Sequence, residues 1–75
     1  MESIFFNRGN EVASDVDVKS LYRIAQIQKD QFGLDKTYVI VQNKEEETLY
    51  VLFDEDVFNQ LDETKKGQYI RIDSV

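Results

Sequence analysis

The side chains able to do chemistry in this sequence are mainly carboxylates, in three close groups: Asp15 and Asp17, Glu45-Glu46-Glu47, and Asp54-Glu55-Asp56. Clustered carboxylates can hold a cation, share a proton, or cap a helix. A calcium loop needs alternating oxygen ligands, a central Gly and a closing Glu; the Asp54 group has none of that spacing. Asp15 and Asp17 open a helical stretch, where capping explains them. The tri-Glu run reads as a solvated turn or a contact for a partner. The chain has no His and no Cys, which removes the usual acid–base residue near neutral pH and the thiolate nucleophile. Gly9, Gly33 and Gly67 stand apart, so none builds a phosphate-cradling loop, which needs clustered glycines at a helix start. Lys65, Lys66 and Arg71 are the only basic cluster in the second half, and acidic neighbours outnumber them. The expectation is a non-enzymatic chain with no metal and no cofactor.

The element that must position everything else is the stretch 15–32. It is the only long run with a helical apolar period. Ser14, Asp15 and Asp17 offer oxygens to the free N–H groups of a first turn, and Gly33 stands where the helix should close, with Leu34 placed to fold back on the last turn. At about 100° per residue, Leu21, Ala25, Gln28 and Phe32 form one seam with Val18 beside it. Ile24 and Ile27 fall to one side and Tyr22 to the other. That arc is wider than one flat sheet needs, so Ile24 and Ile27 either tuck under another element or face another molecule.

Shorter apolar runs read as strands. Residues 3–7 are one, followed by a polar connection over 8–14. Residues 37–42 and 48–53 are rich in β-branched and aromatic residues and flank the wholly polar Asn43–Glu47, which predicts a hairpin. An odd loop pairs 41 with 49 and 39 with 51. One face is then Val39, Val41, Leu49, Val51 and Phe53; the other is Tyr38, Ile40, Tyr50 and Leu52. The first is expected beneath the long helix. Asp54 caps a short helix over 54–61, with Phe53 and Phe58 at the spacing of a hydrophobic staple. Residues 68–73 alternate as a half-buried strand with Ile70 and Ile72 on one side and Tyr69 and Arg71 on the other. The order β-α-β-β-α-β is that of ferredoxin-like sandwiches, an α+β plan with both helices on one side of an antiparallel sheet. A helix on a three-stranded meander and a small twisted barrel are the alternatives.

With 75 residues the chain makes a single domain, one that buries only about 60–65% of its unfolded surface. The N-terminus lacks the pattern of a secretory signal, and no run approaches the roughly 20 apolar residues of a membrane span. A soluble, cytoplasmic protein is expected. Net charge is −6 and uneven: five basic against six acidic residues in 1–42, four against nine in 43–75. Such acidity disfavours direct nucleic-acid or anionic-membrane contact. What remains is surface. If the helices cover one sheet face only, Tyr38, Ile40, Tyr50 and Leu52, with Tyr69 adjacent, form an open apolar patch of the kind that marks interaction sites. The expected function is protein binding or regulation through that face, with Ile24 and Ile27 as a flank, toward another protein or a second copy as a homodimer. The alternative is an acidic mimic of nucleic acid that inhibits a DNA- or RNA-binding protein.

Overall fold

Asp17 decides where the long helix begins. Its carboxylate accepts the Lys19 N–H at 3.0 Å, while Asp15 accepts the Asp17 N–H at 3.0 Å, so the chain turns into α1 (Val18–Phe32) only after both carboxylates. In the computed structural model, which describes residues 11–75, α1 is preceded by a short strand, β1 (Ala13–Asp15). The expected connection is therefore partly strand, and the strand expected over residues 3–7 lies outside the described residues. The rest of the chain gives β2 (Tyr38–Asn43), β3 (Tyr50–Asp54), α2 (Glu55–Asn59), α3 (Glu63–Lys66) and β4 (Tyr69–Ser74).

The four strands form one sheet in the order β1-β3-β2-β4, every neighbouring pair antiparallel. β1 and β2 are then parallel with β3 between them, and β3 and β4 are parallel with β2 between them. Each parallel pair is joined by a helical crossover, and such crossovers are right-handed in nearly all proteins. β1 and β3 run in opposite directions, yet both crossovers step the same way across the sheet. The handedness rule therefore sends α1 and α2 to opposite faces. A ferredoxin-like sandwich carries both helices on one face, and here the last strand pairs with β2. That one-sided arrangement is replaced by α1 on one side of the sheet and α2 on the other.

Packing follows that division. Leu21 and Ala25 of α1 cover Tyr38, Ile40 and Leu52, with Val18, Ile24, Tyr50 and Val75 packed around them. On the opposite face Phe58 of α2 covers Val39, Val41, Val51 and Phe53, joined by Val57, Leu61 and Tyr69. The two face sets of the hairpin are those its alternation predicts. The register differs by two residues, Val41 pairing with Val51, because the tip is held in a longer turn by the Asn43 carboxamide oxygen. That oxygen accepts the N–H groups of Glu45 and Glu46 at 2.8 and 3.2 Å. The face beneath α1 is also the other one: the helix sits on the Tyr38 set.

The second helical segment opens as its sequence indicates. Asp54 accepts the Asp56 N–H at 2.9 Å, and the Phe53 and Phe58 rings meet at 5.4 Å between centroids. Asp62 then starts a separate turn by accepting the Lys65 N–H at 2.8 Å. In β4 the inward residue is Tyr69, whose ring meets Phe53 edge-on at 5.5 Å. Ile70 and Ile72, expected on the buried side, are about half exposed. A register shift between Ile40 and Val41 interrupts the alternation of this edge strand.

Candidate functional site: a cleft at the end of the long helix

The surface expected to bind a partner is occupied from within. Tyr38, Ile40 and Leu52 are buried beneath α1, Tyr50 and Ile24 pack half-buried against the same cluster, and Ile27 alone of the expected set is exposed. The second helix is expected from the sequence on the same face as the first; α2 lies instead on the opposite face and forms a second covering layer, although it is only five residues long. Phe58 and the neighbouring Tyr69 close the far face despite that.

A different site forms where α1 outruns the sheet. β3 ends at Asp54, and no described strand lies beneath the last turn of the helix. Phe32, in line with the buried seam of Leu21 and Ala25, therefore projects past the sheet and is 64% exposed. The helix closes with the Gly33 N–H donating to the Lys29 carbonyl at 2.9 Å. Gly33 has φ 126 and ψ 139, an extended ψ and not the smaller one of a left-handed cap. The chain leaves the helix axis instead of turning back on it. Leu34 stands 74% exposed, contrary to its expected place against the last turn.

Beyond Leu34 the chain returns to the sheet, and Lys36 reaches back across the gap to Asp54. Its Nζ donates to Asp54 Oδ2 at 2.5 Å. A cleft of 460 Å³ lies between these pieces, lined by Val12, Gln28, Phe32, Lys36, Tyr38 and Asp54. This volume falls within the range of small ligand sites, about 300–1,000 Å³. The walls are mixed: Val12, Phe32 and Tyr38 stand with the Gln28 amide and the Lys36–Asp54 ion pair. Asp35 and Asp56 stand exposed on the segments that carry Lys36 and Asp54. Nothing in the linear pattern marks this site, since Phe32 reads as core and Lys36 as an isolated surface charge.

The electrostatics lock the ion pair in its charged form. The hydrogen bond from Lys36 holds the Asp54 carboxyl below its usual range, and partial burial opposes that shift only in part. The same bond raises the Lys36 ammonium above its usual value. At neutral pH the base is thus fully protonated and the acid fully ionised. Both shifts run away from what proton transfer requires. Elsewhere, the backbone N–H of Asp17 lowers the Asp15 carboxyl, and the hydrogen bond to Asp73 raises the Tyr22 phenol. Among the described residues no group of three or more carboxylates converges on a possible metal position, and no helix is long and apolar enough to cross a membrane. No family model matches the chain, and neither a curated protein nor a solved structure matches it.

Proposed function

We propose that this chain is a small non-enzymatic interaction module that docks a partner polypeptide at the Phe32–Asp54 cleft. One observation carries the reading: with both sheet faces covered, the two most exposed large apolar side chains of the helix end, Phe32 and Leu34, stand beside the Phe32–Asp54 cleft. Exposed aromatic and aliphatic groups beside a concavity are how interfaces anchor. The occupant is set by charge. Lys36 is paired with Asp54, and Asp35 and Asp56 add exposed negative charge on the segments that carry the pair. A chain of net charge −6 repels its own copy there, whereas a segment with an apolar side chain flanked by Lys or Arg is attracted. The proposal keeps the cofactor-free, cytoplasmic character expected from composition.

The test is site-specific photo-crosslinking in the native cell, with the photoreactive residue at Leu34 and, as control, at Lys19 on the far end of α1. A basic partner should crosslink from position 34 only. Phe32→Ser, at an exposed position where a stability change within about 0.5 kcal/mol is expected, should abolish the crosslink. Binding of the purified partner should weaken as salt rises. Equal crosslinking from both positions, or indifference to Phe32→Ser, would falsify the assignment.

A further inference from the structure

The start of β1 is aimed at the cleft. Asp15 lies beside Tyr50 and Ala13 beside Leu52, and the pair is antiparallel. The Val12 N–H donates to the Leu52 carbonyl at 2.8 Å. Followed upstream, β1 therefore advances along β3 toward Phe53 and Asp54. That is the end of β3, the same end past which Phe32 projects. Val12 itself lines the cleft, together with Phe32, Lys36 and Asp54. The residues before Glu11 are thus tethered beside the cleft.

Those residues carry the chemistry that the cleft selects. Ile4, Phe5 and Phe6 are three consecutive large apolar side chains, and Arg8 is the only charged residue of 3–10. The apolar run matches Val12, Phe32 and Tyr38 of the walls and the exposed Leu34. The guanidinium matches the negative charge of the exposed Asp35 and Asp56. Six residues separate Phe6 from Val12, a reach of about 20 Å in extended chain, which is long enough to enter the cleft. Tethering sets this segment apart from a second copy, because its approach brings up no further net charge. A short linker also holds it at an effective concentration on the order of millimolar. Resting on the reading of the cleft as a docking site, we infer that residues Ile4–Arg8 occupy the Phe32–Asp54 cleft of their own chain. A basic partner enters by displacing them.

Photo-crosslinking within the purified full chain tests this, with p-benzoylphenylalanine at position 5 to keep an aromatic side chain there. It should link to residues 28–36 of the same molecule, and Phe32→Ser or Arg8→Glu should lose the link. No link, a link elsewhere in the chain, or a link joining two chains overturns the inference. The second measurement is affinity for the purified partner captured from position 34. If the free segment binds at about 0.1 mM, Phe5→Ser with Phe6→Ser should tighten partner binding about tenfold. Unchanged affinity in that folded variant overturns the inference and leaves the docking reading standing. Should the double variant fail to fold, Arg8→Glu takes its place. If position 34 captures no partner in any variant, the docking reading fails, and the link from position 5 alone decides whether the segment fills the cleft.

Discussion

Lys36 Nζ lies 2.5 Å from Asp54 Oδ2, while the other oxygen of Asp54 accepts the Asp56 N–H at 2.9 Å. One carboxylate thereby ties the loop after α1 to the first turn of α2, which lie on opposite faces of the sheet. It also forms the polar wall of the cleft.

The pair gives a pH dependence with a defined sign. Lys36 holds the Asp54 carboxyl below 3.8. A group whose folded value is depressed contributes stability above its unfolded value and loses it as pH falls through the folded one. Lys36 is raised above 10.5, so its share is present below that value and lost as pH rises through the raised one. Asn is as good a helix cap as Asp, so Asp54→Asn removes the charge and keeps the cap. Its urea midpoint should drop less than the wild type's between neutral pH and about pH 3. At neutral pH Asp54→Ala should be less stable than Asp54→Asn by about 1 kcal/mol, the cost of a lost cap. Equal acid sensitivity of wild type and Asp54→Asn would show that the pair contributes nothing.

Leu52 and Ile27 separate the covered face from the exposed one. Leu52 is wholly buried beneath α1, whereas Ile27 is 49% exposed. Leu52→Ala leaves a hole under the helix and should cost about 2–5 kcal/mol. Ile27→Ala removes a solvent-facing side chain and should stay within about 0.5 kcal/mol. Similar denaturation midpoints for the two variants would mean that α1 does not sit on the Tyr38 set.

Phe58 tests the second layer. Its ring meets those of Phe53 at 5.4 Å and Tyr69 at 6.4 Å, and its helix has only five residues, too few to persist without packing. Phe58→Ala should cost about 3–5 kcal/mol and release the amides of α2 to exchange. Amide exchange resolved by residue would show whether α2 is lost before the sheet. Retention of α2 protection in Phe58→Ala would remove the ring cluster as its anchor.

Local signals in the chain were readable, and the global choice was not. The Asp54 cap, the Phe53–Phe58 staple and the two face sets of the hairpin all follow from neighbours within a few residues. Which face α2 covers depends on where β4 lands, and that depends on pairing across the sheet. Once β4 joins β2, the two crossovers must fall on opposite faces, and the apparent surplus of apolar side chains becomes a second core. Tyr38, Ile40 and Leu52 read as open because both helices are expected on the Val39 face, whereas α1 lies on the Tyr38 face. The cleft was harder still to see. Phe32 continues the seam of Leu21 and Ala25 in sequence, and only the end of β3 at Asp54 shows that no described strand lies beneath it.

Gly33 sets the geometry of that cleft, and its replacement gives the last expectation. At φ 126 the residue occupies backbone space that side chains rarely tolerate. An added Cβ would also stand 2.8 Å from Asp35 Oδ1. Gly33→Ala should therefore cost about 1–3 kcal/mol, or shift the 33–36 turn and with it Lys36. Gly67 is the control: its φ is −66, an ordinary helical value, and the tightest contact an added Cβ makes is 3.3 Å to the Glu63 carbonyl. Gly67→Ala should stay within about 1 kcal/mol of wild type. If the turn shifts while the fold holds, crosslinking from position 34 should fall in Gly33→Ala and persist in Gly67→Ala. A Gly33→Ala chain with wild-type stability and undiminished crosslinking would show that the extended exit from α1 is not what presents Phe32 and Leu34.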